Sequence, residues 1–189
     1  MTSNQVPAPV RRPDAARNRD KILAAARTAF ADPRAEVSMA EIARRAGVGM
    51  ATLYRNFPGR RELLEALFTD EVDAICAAAE AMGDAAPGTA FTVWLHRFFA
   101  FITSKRPIAA ELLEHTDSAN PIFGGNRDRV IAAAEPLFAA AKNAHEVRDN
   151  LTLEQALDLV IAIATIHRDS RYVEPILQAA LDGLRPRRP

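Results

Sequence analysis

The chain has a single cysteine, Cys76, among its 189 residues, so no internal disulfide can form and the fold has no disulfide framework. That pattern fits a reducing compartment, and the expectation is a soluble, cytoplasmic protein. The chain does not open on an apolar targeting segment, and no uninterrupted apolar run reaches the roughly 20 residues of a membrane span. Also missing are a P-loop, a Gly-rich dinucleotide fingerprint, a paired-histidine zinc motif and a nucleophile elbow, the marks of several large enzyme classes. There are no internal repeats. Net charge is absent as well, because 24 Lys and Arg balance 24 Asp and Glu.

That zero hides an asymmetry. Residues 1–61 hold 12 Lys and Arg against 5 Asp and Glu, and residues 62–189 hold 12 against 19. A basic front end attracts phosphates, while an acidic remainder repels them and confines contact to one face. Apolar residues make up 49% of the chain and alanine is abundant, a composition suited to helix bundles.

Residues 37–57, VSMAEIARRAGVGMATLYRNF, organise the rest. Ser38 and Glu41 have capping-box spacing, and Ile42, Ala43 and Ala46 share one helical face. Gly47 stands where a left-handed turn suits glycine alone. A second short helix over about residues 50–56 turns Leu53 and Phe57 inward with Val48, and leaves Met50, Ala51, Thr52, Tyr54 and Arg55 outside. Small Ala43, then Gly47, then apolar Leu53 lets two helices cross closely at a wide angle, as in a helix-turn-helix whose second helix enters a major groove. An ordinary helical hairpin is the other reading of the same spacing.

Around this unit the periodicity predicts a basic arm without fixed structure at residues 1–16 and a first helix at 17–31, stopped by Asp32-Pro33. A helix at 60–82 follows, with Gly83 and Pro87-Gly88 breaking the pattern. Residues 91–102 hold nine apolar residues in twelve, including Trp94 and four phenylalanines; such density serves a ligand cavity and an ordinary core alike. A short helix is expected at 107–115, a loop at 117–125, and a helix at 127–143 bent by Pro136. Thr152 and Gln155 form a second capping box ahead of a helix at 153–167. A last helix at 172–184 leads to a basic tail.

Glu111 and His115, four apart, have the spacing of two metal ligands, with His96 or His167 as further candidates. The alternative is a solvated Glu111 and a His115 near a helix end, and no metal or cofactor is expected. Cys76 lies on an apolar stripe, as a small buried hydrophobe rather than a redox sensor.

The run IARRAGVGMATLYRNF followed by PGRRELLEAL resembles the TetR family of bacterial transcriptional regulators, a likeness that spans residues 17–79. Gly49, Met50-Ala51 and Asn56 depart from the family's commoner residues. The resemblance implies an all-α homodimer, with a helix-turn-helix DNA-binding domain at residues 17–62, a helical ligand-binding and dimerisation domain at 63–185 and a tail at 186–189. It implies a sequence-specific regulator, a repressor released from a palindromic double-stranded operator by a small, largely apolar effector, without membrane attachment or catalysis. Thr52, Tyr54, Asn56 and Arg60 match family positions that touch bases or phosphates, and Ser38, Met50, Ala51 and Arg55 complete the expected DNA face. The expected ligand set is Phe68, Val72, Cys76, Trp94, His96, Phe98, His115 and Phe123. The expected dimer set is Leu157, Val160, Ile161, Ala164, Val173, Ile176, Leu177 and Leu181. A ligand-independent architectural DNA binder and a helical enzyme with an incidental hairpin remain the alternatives.

Overall fold

Helices account for all the regular structure that the described residues (12–31, 37–82, 85–115 and 121–186) adopt in the computed structural model. They are α1 (Arg12–Phe30), α2 (Met39–Ala46), α3 (Met50–Asn56), α4 (Arg60–Glu80), α5 (Pro87–His115), α6 (Pro121–Asn143), α7 (Leu153–Ala164) and α8 (Ser170–Asp182). The chain divides into two compact units, Met1–Leu67 and Phe68–Pro189, and the boundary falls inside α4.

In the first unit α1 packs against both α2 and α3. Ile22, Ala26 and Phe30 of α1, Ile42 and Ala43 of α2, and Leu53 and Phe57 around α3 are buried. A seven-residue helix such as α3 is too short to persist alone, so this packing, not propensity, holds it. The α2 terminus is fixed by backbone geometry. Gly47 takes φ 66°, its N–H donates to the Arg44 carbonyl at 3.2 Å, and Val48 N–H donates to the Ala43 carbonyl at 3.0 Å. These two bonds make a Schellman motif. A Cβ added at Gly47 would meet nothing within 4 Å, so glycine is needed here for its torsion and not for space.

The second unit has one core, which includes Val72 and Ile75 of α4, Phe91, Trp94 and Leu95 of α5, Ala134 and Phe138 of α6, and the inner faces of α7 and α8. The Trp94 indole N–H donates to the Ile75 carbonyl at 3.1 Å, so its one polar atom is satisfied inside the core. The capping box of α7 forms in full: Gln155 N–H donates to Thr152 Oγ1 at 3.2 Å, and Thr152 N–H donates to Gln155 Oε1 at 3.0 Å.

Several expected boundaries move. α1 begins at Arg12, not residue 17, because a proline in a first turn forfeits no intrahelical bond; the rest of the expected arm lies outside the described residues. Pro87 opens α5 instead of breaking the pattern, for the same reason. The two helices expected at 91–102 and 107–115 are one, with Pro107 inside it. An interior proline costs a hydrogen bond and crowds the carbonyl four residues back. Burial of Ile108 and Leu112 beyond it and the largely buried Lys105–Glu71 ion pair at 2.9 Å offset that cost. The loop expected at 117–125 is helical from Pro121 onward, and its earlier residues lie outside the described set. α8 starts earlier than expected, because the Asp169 carboxylate accepts from Tyr172 N–H at 3.0 Å and caps it.

Candidate functional site

In the first unit the outer face of α3 stands uncovered. Met50, Ala51, Tyr54 and Arg55 are exposed, Tyr54 by 47%, whereas Thr52 and Asn56 are half-buried. Two polar groups of this face fold along their own helix. Arg55 Nε donates to the Ala51 carbonyl at 3.1 Å and Arg55 Nη2 to Thr52 Oγ1 at 3.1 Å. Asn56 Nδ2 donates to the Thr52 carbonyl at 2.8 Å. Ser38 caps α2, its hydroxyl accepting from Glu41 N–H at 3.1 Å.

The reciprocal half of that cap does not form as the spacing suggests. The Glu41 carboxylate is taken by Arg44, at 2.8 and 2.7 Å, and by Arg45 at 2.6 Å. The Arg44 and Arg45 hydrogen bonds hold its pKa down to about 2 against the opposing effect of desolvation. A guanidinium outcompetes a backbone amide for a carboxylate because the bond is charge-assisted. Arg60 is half-buried: it donates to the Val37 carbonyl and lies over the Phe30 ring, 5.2 Å from its centroid. Arg19 lies similarly over Phe57 at 4.7 Å.

In the second unit a cavity of about 260 Å³ lies among α4, α5, α6 and α7. Phe68, Val72, Phe98 and Phe123 of the expected ligand set line it. The rings of Phe68 and Phe123 meet edge to face at 5.7 Å, and Phe98 and Phe101 stack at 6.2 Å.

Residues 22–67 match the family pattern described as "Bacterial regulatory proteins, tetR family", and residues 86–186 match "Transcriptional regulator SbtR-like, C-terminal domain". The chain belongs to the TetR family. It is 35% identical to a TetR transcriptional regulator from Streptomyces coelicolor, covering 90% of this chain and 99% of that one with a TM-score of 0.75. A TetR transcription regulatory protein from Mycobacterium vanbaalenii is 30% identical over 92% of this chain and 98% of that one, with a TM-score of 0.73. No curated protein sequence matches it. The all-α architecture and a DNA-binding transcriptional regulator's role follow from this membership.

Within this TetR-family chain several expected side chains take other places. Trp94 is fully buried, stacked on Phe98 at 5.5 Å, and does not line the cavity. Cys76 and His96 do not line it either. Burial pushes the Cys76 thiol up, as fits a small group packed against the core. The side chain of His115 lies outside the described set. Among the described residues no group of three or more His, Cys, Asp or Glu is placed to hold a metal ion, and no helix is long and apolar enough to cross a membrane.

Most of the expected dimer face is turned into this chain's own core. Leu157, Val160, Ala164, Val173, Leu177 and Leu181 are buried within this one chain and Ile161 partly so; only Ile176 is exposed. The broader apolar stripe of each terminal helix is consumed by its own core, as expected where a helix packs on several others. Leu157 and Ile161 line the cavity instead. Leu159, Tyr172 and Ile176 are the large apolar side chains that α7 and α8 leave exposed.

The spacing argument also passed over Phe101, Ile102, Asn126, Arg127 and Val130, all in the cavity wall. Asn126 had a signal: it falls three after Phe123 and four before Val130, a polar residue on an apolar helical stripe.

Proposed function

We propose that the protein is a homodimeric repressor, working in the cytoplasm, that grips a near-palindromic operator through α3 and releases it when a small, largely apolar ligand occupies the α4–α7 cavity. The observation that carries this reading is the uncovered outer face of α3, whose inner side is anchored by buried Leu53 and by Phe57 just beyond its end. In this reading Met50, Ala51, Thr52, Arg55 and Asn56 meet base edges, Met50 or Ala51 offering apolar contact to a thymine methyl. Tyr54, Arg60 and Ser38 meet phosphates and fix register. Two-fold symmetry sets the recognition helices about 34–36 Å apart, one turn of DNA. Leu159, Tyr172 and Ile176 are the side chains offered to the second subunit.

Release needs a ligand that prefers the state unable to bind DNA. Reversing a 99:1 population takes about 5.5 kcal/mol of such preference. α4 is the element proposed to carry it, because only Phe57, Pro58 and Gly59 separate it from α3 while its Phe68 and Val72 line the cavity. The test is an operator titration in the presence of each compound that raises the protein's melting temperature. Loss of operator affinity supports release by ligand; stabilising compounds that leave operator affinity unchanged refute it, and favour a ligand-independent DNA binder.

A further inference from the structure

Asn126 is 6% exposed, and its Nδ2 has no hydrogen-bond partner among the described residues. The orientation of the amide is not arbitrary. Arg129 Nη1 donates to Asn126 Oδ1 at 3.2 Å, and Arg129 is itself held by the Asp73 carboxylate. A guanidinium only donates, so the oxygen must face it and the two N–H groups must face away. The residue lines the aromatic cavity, and a buried donor left unmatched there carries its full desolvation cost.

We propose that this cavity takes a neutral, single-ring aromatic molecule bearing an acceptor oxygen, and that the oxygen accepts a hydrogen bond from Asn126 Nδ2. The inference deepens the ligand-release reading above and rests on it only in treating the cavity as a ligand site. Size sets the ring count. An apolar cavity of about 150 Å³ admits benzene, and a water's share of volume is about 30 Å³. A cavity of about 260 Å³ therefore has room within its walls for one ring and roughly three or four further heavy atoms. The walls set the aromatic character, because Phe68, Phe101 and Phe123 present rings tilted or edge-on to one another, an arrangement a further ring can join. Charge sets neutrality. Arg127, the one cation among the described residues lining the cavity, pairs with Asp158 at 3.4 Å, so an anionic guest would have to compete with that carboxylate for it.

The experiment uses the full chain and three probes by calorimetry: acetophenone, ethylbenzene (the carbonyl replaced by a methylene) and benzoate. Acetophenone should bind about tenfold more tightly than ethylbenzene, the worth of one matched buried donor, and should shift the Asn126 side-chain amide signals in a nitrogen–proton spectrum. In Asn126→Leu the preference should fall to about twofold or less; the variant relieves the unmatched Nδ2 but gives up the Oδ1 bond from Arg129, so its two effects on melting temperature oppose each other. Asn126→Asp, an acceptor beside Arg129, should lose the preference as well, and serves if the leucine variant fails to fold. Equal affinities in the wild type, a preference surviving in both variants, benzoate as the tightest probe, or no binding at millimolar concentration would each overturn the proposal. Operator titrations run alongside separate the two readings. Asn126-dependent binding without effect on DNA leaves the ligand chemistry standing and refutes release. Ligand-dependent release without dependence on Asn126 does the reverse.

Discussion

The Arg60 guanidinium donates to the carbonyl of Val37, 23 residues earlier in the chain, and covers the Phe30 ring. One side chain thus ties the start of α4 to the segment that leads into α2 and to the end of α1. A residue expected to bind phosphate is also a brace of the DNA-binding unit.

Arg60→Ala should therefore act twice. Loss of a charged hydrogen bond and a cation–π contact costs about 2 kcal/mol, seen as roughly thirtyfold faster amide exchange in α2 and α3. The salt dependence of DNA binding should also become shallower by about one unit. Faster exchange with an unchanged salt slope would assign Arg60 to the brace alone.

Glu41 predicts an acid response. Its carboxyl, held at about 2 by Arg44 and Arg45, lies below its ordinary value. A depressed carboxyl stabilises the fold fully above its unfolded pKa, and that contribution is lost as pH falls from about 4.5 toward 2. A carbon-detected titration should find the Glu41 midpoint near 2. The Glu41→Gln variant should lose its part of the stability difference between pH 6 and pH 3. A midpoint near 4.5 would mean that the Arg44 and Arg45 contacts do not persist in solution.

Ile176 and Leu177 are neighbours with opposite fates, one exposed and one fully buried. Ile176→Glu should give folded monomers in sedimentation analysis and weaken operator binding. Leu177→Ala should instead cost about 2–5 kcal/mol of stability, read from Trp94 fluorescence during urea unfolding. Dimers that survive both Ile176→Glu and Tyr172→Glu would move the interface elsewhere.

Gly124 and Gly125 lie within α6, and an added Cβ at either would meet nothing within 4 Å. Neither has a positive φ. Replacing each by alanine should stabilise the second unit by about 0.5–1 kcal/mol; a loss of stability would show that these positions are not helical in solution.

What the sequence makes legible follows the range of the interactions involved. Gly47, Leu53 and Phe57 could be placed from spacing because the crossing of α2 and α3 is built from residues close in sequence. The capping box at Thr152 is equally local. Pro107 misled because its local cost is plain in the sequence, while the compensating burial of Ile108 and Leu112 depends on distant packing. Leu157 and Leu177 show a related limit of local patterning: periodicity identifies an apolar face but not whether it meets the chain's own core, as both do here, or a second copy. Asn126 broke an apolar stripe in plain view, but its unmatched nitrogen appears only once α6 is packed against its neighbours.

The most direct test of the central claim is selection from a random duplex library with the full-length protein, followed by titration of the enriched sequence with the wild type and with Thr52→Ala. Thr52 is chosen because its hydroxyl accepts from Arg55, so its loss should change how that cation meets the groove. The account predicts an enriched near-palindrome with half-sites about one helical turn apart, bound at least about a thousandfold more tightly than random DNA, and an altered base preference in Thr52→Ala. Salt-sensitive binding without an enriched motif, or a preference indifferent to Thr52→Ala and to substitutions at Met50 and Arg55, would contradict recognition through α3.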